Sequence, residues 1–404
     1  MFSRLFSAPP SAFSAVSTLI VKVTYRCNLD CLYCYEKVSK TGQDMSIEQF
    51  KELVDLSLGQ TSSPQLTFLF HGGEPTLLPI AWYEEGLDYA LAQAKKWGKT
   101  VHFAMQSNLV RLKEEYIQLF RRYQIALGVS LDQPVFLLDD SQRGGETKVF
   151  KNFRRLQAAK VKAGVLATIN SSNYPNFYTL CEWLWGEAKQ RSFKANVVTP
   201  VGAAHGQPPL QAEQIFMAQK AIIDYMIATQ GQALIESNIA LELGRYFEPE
   251  QAKPTLCHEK TCGAGRSALG ITPEGHLLPC GRFAWNEPAY YFGHLSEQRQ
   301  ASRKEKKELA QKIANFHAQK PENWYDCESC PAKKVCGYGC QAFILRSEEQ
   351  ANLDCLPTKM RFAYYREQEV ALRAVYANIQ KRQAGPSRQF RIKDQNGQWK
   401  SYKL

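Results

Sequence analysis

A chain of 404 residues is longer than one hydrophobic core ordinarily serves, which predicts two domains and a tail. Its 44% hydrophobic and 12% aromatic content is that of a globular protein, and no uninterrupted apolar run is long enough to span a membrane; Ala221 to Ala228 is short and contains Asp224. A net charge of +11, from 50 basic and 39 acidic residues, would suit nucleic acid, an anionic cofactor or an acidic peptide, whereas 12 cysteines without an export signal argue against a disulfide framework and for metal in a reducing, cytoplasmic compartment.

Residues 1–17 carry Arg4 as their one charge, lack the basic and apolar regions of a signal peptide, and read as a surface arm. An apolar, β-branched run from Thr18 to Thr24 predicts a strand that ends in a loop with three thiols, Cys27, Cys31 and Cys34, in a C-x3-C-x2-C spacing. Three soft thiolates on a short loop can hold three irons of a cubane cluster and leave the fourth open to an exogenous ligand. The alternatives are a zinc loop short of one ligand or three clustered buried thiols; no histidine lies within or beside the loop to complete a zinc site.

Behind the loop, Ile47, Phe50, Leu53, Val54 and Leu58 have helical spacing over Ser46 to Gly59, opened by Ser46 with Gln49 three residues on. Strands follow at about Gln65 to Phe70, Thr100 to Gln106, Ile125 to Ser130, Val165 to Ile169 and Phe193 to Val198, with helical segments between. Repeats of this kind mean βαβ units with parallel pairing, six in all, short of a complete eight-stranded barrel. Pattern alone leaves a partial barrel and a doubly wound sheet both open. Cys181, among Leu180, Trp183 and Leu184, reads as a small buried hydrophobe.

Parallel α/β sheets place sites at the carboxyl ends of their strands. There the chain has His71-Gly72-Gly73-Glu74-Pro75, whose glycines would let backbone approach a ligand, then Gln106-Ser107-Asn108 and Ser130-Leu131-Asp132. A helix over Leu210 to Gly231 would close this half, and residues 232–256 form a connection with helix-like Ile235 to Phe247. Cysteines then return as Cys257, Cys262, Cys280, Cys327, Cys330, Cys336, Cys340 and Cys355, the number needed for two fully ligated 4Fe-4S clusters, with structural zinc as the competing reading. A helix over Thr358 to Ala384 precedes a basic, mobile-looking tail from Arg388 to Lys403.

The first cysteine loop, including Tyr33, resembles the signature of radical S-adenosylmethionine enzymes, and the later cysteines, with Gly275 before Cys280, resemble a SPASM domain. The likeness covers about residues 18 to 360. It implies a partial (β/α)6 TIM-like barrel over 18–231, a connection over 232–256, an auxiliary-cluster domain over 257–360 and a C-terminal helix and tail over 361–404. It also implies three 4Fe-4S clusters and S-adenosyl-L-methionine as cofactors. Cys27, Cys31 and Cys34 would ligate the cluster that binds and cleaves the nucleotide. Cys257, Cys262, Cys280 and Cys340 would hold one auxiliary cluster, and Cys327, Cys330, Cys336 and Cys355 the other; the crossed order comes wholly from the resemblance. Tyr33, Gly72, Gly73, Glu74, Gln106, Asn108, Ser130, Asp132 and Arg143 would contact the nucleotide. Here Gln133 replaces a glycine frequent in relatives, and Asp140-Ser-Gln-Arg143 comes one residue late.

The resemblance implies a peptide maturase acting on a ribosomally synthesised precursor, forming a cyclophane C–C or thioether cross-link, supplied by an electron donor such as flavodoxin or ferredoxin, with neither nucleic acid nor membrane as partner. Formylglycine formation, as in anaerobic sulfatase maturases, is weakened because Gly281 occupies the position of their acidic base. An electron-transfer or nucleic-acid-binding iron–sulfur protein would need no Gly-Gly-Glu-Pro loop. Asp132, His205 and Glu74 are candidate bases, of which none is selected. The 26 residues before Cys27 are too few for a leader-binding domain there, so a leader would engage the barrel helices, the tail or a separate protein.

Overall fold

The computed structural model describes residues 11–36, 42–137, 142–199, 201–206, 210–251, 257, 262–284, 286–319, 326–337, 339–344, 352–384, 389–393 and 399–403. Asp140 and residues 1–10 of the arm lie outside these, as does Arg388; the side chain of His205 is likewise outside. Strands β1 (Thr18–Thr24), β2 (Gln65–Gly72), β3 (Thr100–Ser107), β4 (Ala126–Ser130), β5 (Ala163–Ile169) and β6 (Ser192–Val197) alternate with helices α1 (Ile47–Gln60), α2 (Ile80–Lys96), α3 (Glu114–Arg122), α4 (Glu146–Ala158), α5 (Phe177–Gly186) and α6 (Ala212–Ala228). These are the six predicted strand–helix units, the strands within two residues of their predicted bounds and α6 ending three residues before the predicted Gly231. Helix α1 begins with the predicted reciprocal cap, Gln49 N donating to Ser46 Oγ at 3.1 Å and Ser46 N to Gln49 Oε1 at 3.0 Å.

The chain goes on through β7 (Ile235–Glu236), α7 (Ser237–Phe247), β8 (Ala268–Ile271), β9 (Leu277–Leu278), α8 (Leu295–Gln298), α9 (Arg303–Ala318), α10 (Gln341–Ile344), α11 (Asn352–Glu367), α12 (Glu369–Ala384), β10 (Gln389–Lys393) and β11 (Trp399–Lys403). One sheet of nine strands runs in the order β7-β6-β5-β4-β3-β2-β1-β8-β9, every pair parallel except β8 with β9. The sheet therefore outgrows the six predicted strands. The added β8 comes from the cysteine-rich half and pairs with β1, Thr18 opposite Ala268 and Val21 opposite Ile271. The three-thiol loop after β1 is thereby brought beside the chain that carries Cys280.

Leu19, Val21 and Val23 on one face of β1 are fully buried, as are Phe68 and Phe70 on β2, so alternation along these strands sends one set of side chains into a packed layer. Lys22 stands on the opposite face of β1 and is buried too; its ammonium pairs with Glu36 at 2.7 Å, which offsets the cost of burying either charge alone.

Three expectations are corrected. The arm is not on the surface over 11–17: Phe13 and Val16 are fully buried, and Thr61 Oγ1 donates to Val16 O at 2.6 Å, because the segment packs alongside the start of β1. The C-terminal helix is two helices, starting at Asn352 and interrupted at Gln368, with α11 packed on α6 and α12 on α7; Pro357 sits in the second turn of α11. The tail contains an antiparallel hairpin, Gln389 opposite Lys403 and Lys393 opposite Trp399.

Candidate functional site

The cysteine loop is braced from three sides. Leu32 N donates to Gln142 O at 2.9 Å and the Cys31 thiol faces Arg143 O at 3.9 Å, which ties it to the chain before α4. Ala203 N donates to Cys34 O at 2.9 Å, and Gly202, at φ +63°, comes so close that a Cβ would stand 2.5 Å from Tyr35 O. Asn108, at the end of β3, donates through Nδ2 to Asn28 Oδ1 at 2.7 Å and to Cys27 Sγ at 3.6 Å.

The Gly72-Gly73 pair has a reason the sequence did not disclose. A Cβ on Gly72 would lie 2.3 Å from Thr24 O, and one on Gly73 2.1 Å from Arg26 O. Gly73 N and Glu74 N donate to those carbonyls at 2.7 and 2.8 Å, and Gly72 N donates to His71 Nδ1 at 2.9 Å. The glycines thus serve the approach of two chain segments, and with three amides committed, what the loop has left to offer a ligand is carbonyl oxygen, which suits an ammonium.

Glu74 and Asp132 are both bonded to neighbouring strand ends. Glu74 is fully buried: Oε1 accepts from Ser107 Oγ at 2.8 Å and Thr76 Oγ1 at 2.6 Å, and Oε2 from Asn108 N at 2.7 Å. Asp132 is buried as well, with Oδ1 accepting from Thr168 N at 2.8 Å and Oδ2 from the Tyr33 hydroxyl. Neither lines the cavity described below. Each carboxylate is consumed in joining neighbouring strand ends, so each orders the groups that do face the cavity. Burial raises the Asp132 carboxyl above the ordinary aspartate value, against the opposing pull of Arg143. Arg143 donates to the Tyr33 hydroxyl at 3.3 Å, and despite the late arginine both residues reach the cavity. Gln106 donates to Ser130 Oγ at 2.7 Å, crossing Gly128, where a Cβ would stand 2.1 Å from Gln106 Oε1.

A cavity of about 470 Å³ opens onto Cys27, Cys31 and Cys34, with Cys257, Cys262, Cys280, Cys336 and Cys340 also on its wall. Tyr33, Gly72, Gly73, Gln106, Asn108, Ser130 and Arg143 line it. Cys327, Cys330 and Cys355 do not; Cys330 N donates to Cys327 O at 3.3 Å, and Cys355 lies on α11. Cys340 stands close enough to Cys257, Cys262 and Cys280 to act on each electrostatically, although 60 residues or more of chain separate it from them. Burial pushes the Cys31 and Cys280 thiols up to about 12 and Cys262 to about 11, so without a cation these groups stay protonated, and a bound metal would hold them as thiolates.

Among the described residues no three His, Cys, Asp or Glu side chains converge as they would on a single metal ion. A cubane asks for something different, one thiolate at each of several separate irons. An all-sulfur donor set distributed around one cavity fits that group.

Residues the sequence reading left out complete the wall. Glu36, paired with Lys22, lines the cavity beside Tyr35, whose hydroxyl lies 3.2 Å from His71 Nδ1. The visible signal was a lysine inside an apolar strand. Arg282 reaches Thr199 Oγ1 at 2.6 Å and Cys340 Sγ at 3.9 Å. At the far end Arg361 of α11 grips Glu242 of α7 through two bonds of 2.6 and 2.8 Å, and the Tyr365 hydroxyl donates to Glu242 Oε2 at 3.0 Å.

Comparison with known proteins finds likeness chiefly in the first half. The Radical SAM superfamily matches residues 21–180. A serine-type anaerobic sulfatase-maturating enzyme of Bacteroides thetaiotaomicron is 29% identical over 166 residues, 38% of this chain and 40% of that protein. The antilisterial bacteriocin subtilosin biosynthesis protein AlbA of Bacillus subtilis is 26% identical over 270 residues, 65% of this chain and 54% of that one. These matches span about half of each relative or less. In fold, native anSMEcpe with bound AdoMet superposes with TM-score 0.74 at 18% identity, covering 90% of this chain and 99% of that one. Streptococcus suis SuiB bound to precursor peptide SuiA superposes with TM-score 0.54 at 15% identity, covering 83% and 74%.

Proposed function

We propose that this chain, whose residues 21–180 match the Radical SAM superfamily, is a peptide maturase that cross-links side chains of a ribosomally synthesised precursor, a C–C bond being favoured over a thioether. The observation that carries the reading is the single cavity onto which both the three-thiol loop and Cys257, Cys262, Cys280 and Cys340 open. Cys27, Cys31 and Cys34 would hold one 4Fe-4S cluster, Cys257, Cys262, Cys280 and Cys340 a second, and Cys327, Cys330, Cys336 and Cys355 a third. When bound, the first cluster with S-adenosylmethionine supplies a carbon-centred radical able to take hydrogen from an unactivated C–H bond.

The chain's own groups set the geometry. The Gly72 and Gly73 carbonyls would receive the ammonium of the nucleotide's methionyl part, and Arg143, held by Tyr33, its carboxylate. Gln106, Ser130 and Asn108 offer polar atoms along the same edge. Three carboxylates line the cavity. Glu236 accepts from Ala195 N at 2.8 Å and Ile239 N at 2.6 Å, and Glu242 is taken by Arg361, so Glu36 Oε2 is the oxygen best able to receive a proton from a substrate.

Formylglycine formation has the anSMEcpe likeness in its favour. It needs an acid after Cys280, and there a Cβ on Gly281 would meet Ile20 Cγ2 at 2.8 Å. Among the described residues no helix is long and apolar enough to cross a membrane. The enzyme would work in the cytoplasm with a flavodoxin- or ferredoxin-type donor. The test is anaerobic coexpression with a candidate precursor peptide. A mass loss of two hydrogens is expected, and Glu36→Gln should still release 5'-deoxyadenosine while losing the cross-link. Absence of 5'-deoxyadenosine from reduced, reconstituted protein would refute the reading.

A further inference from the structure

Arg282 touches two thiols of the Cys257, Cys262, Cys280 and Cys340 group. Its backbone amide donates to Cys280 Sγ at 3.5 Å and its guanidinium to Cys340 Sγ at 3.9 Å. The same nitrogen is anchored on Thr199 Oγ1 at 2.6 Å, which fixes the side chain between the end of β6 and the thiols. The side chain lines the cavity, and a guanidinium keeps its charge at any ordinary pH. Arginine suits the place because its planar fork can serve a hydroxyl and a sulfur at once.

We propose that Arg282 sets the reduction potential of the 4Fe-4S cluster held by these four cysteines, keeping it oxidising enough to accept an electron from a substrate radical. A cation and two N–H donors at the ligand sulfurs stabilise the more negative, reduced cluster over the oxidised one, and burial keeps solvent from screening that preference. This rests on the cross-linking function proposed above. A cross-link removes two hydrogens from the peptide. The first leaves as a hydrogen atom, taken by the nucleotide-derived radical; the second leaves, as the new bond is completed, as a proton and an electron. Glu36 would receive the proton, and the 4Fe-4S cluster that Cys257, Cys262, Cys280 and Cys340 would hold would take the electron.

The test is potentiometric titration followed by electron paramagnetic resonance, with iron and sulfide assays, on full-length wild type, Arg282→Gln, Arg282→Lys and Thr199→Val, each reconstituted anaerobically. Arg282→Gln should keep wild-type iron while one couple moves to a more negative potential and the others stay. Arg282→Lys should recover most of the shift, and Thr199→Val should give an intermediate one. Unchanged couples in an iron-replete Arg282→Gln protein would overturn the proposal. Loss of one cluster's iron from both Arg282 variants would also overturn it, since the residue would then assemble the cluster and not tune it. Wild type holding iron for a single cluster would overturn this proposal together with the three-cluster reading, a failure visible before any variant is made.

Discussion

The Tyr33 hydroxyl donates to Asp132, 99 positions along the chain, and so links the cysteine loop after β1 to the end of β4. Arg143 donates to the same hydroxyl, so one phenol joins an acceptor and a cation in a buried cluster. Tyr33→Phe should leave both partners short of a bond and cost about 1–3 kcal/mol. The urea midpoint of the metal-free protein checks this. An unchanged midpoint would mean that the loop is held by its other contacts.

Gly281 faces Ile20 with no space for a side chain. Gly281→Asp should therefore not gain a base but overpack the β1–β8 junction, at a cost of about 1–3 kcal/mol. Ile20→Ala in the same chain should recover part of that loss, as read from thermal midpoints. If Gly281→Asp is as stable as wild type, steric exclusion is not what bars an acid from this position.

Breaking the Glu242–Arg361 pair from one side strands a buried carboxylate. Arg361→Met is expected to cost about 3–5 kcal/mol, and Arg361→Met with Glu242→Leu to recover most of it. Burial raises the Glu242 carboxyl, and the Arg361 guanidinium with its hydrogen bonds outweighs this and holds it below the usual glutamate range. The pair's contribution is thus complete above that range and is lost as pH falls through the depressed value. Arg361→Met should lose this acid-side dependence, which chemical denaturation at several pH values would reveal.

His71 is pushed down to about 4 by burial and by the Lys22 and Arg282 cations, from an ordinary 6.5. Between those values the unfolded chain takes up a proton that the folded chain refuses, so stability falls as pH drops from 6.5 to about 4, by about 3 kcal/mol in all. His71→Gln should flatten the stability profile in that window and leave it unaltered above pH 7. A parallel profile in the variant would show that other groups govern the slope.

Much of the barrel half was legible because its signals are local. The Ser46 and Gln49 cap is a four-residue pattern, and the six strands are continuous apolar runs separated by amphipathic helices. Phe13 and Val16 escaped because an irregular segment has no periodicity to show which side chains it buries. The partners of Glu74 were hidden for a similar reason: Ser107 and Asn108, which donate to its carboxylate, lie more than 30 residues on.

Residue order and spacing alone determined that three thiols follow the first strand, that parallel βαβ units come next and that eight more cysteines crowd the second half, since each is a property of neighbours along the chain. Only the tertiary structure decided which cysteines keep company with Cys340, why residues 72 and 73 are glycine, and that Arg282 lies against two thiols. Those facts depend on contacts between segments far apart in sequence, where pairing of β8 with β1 and packing at the strand ends select the partners.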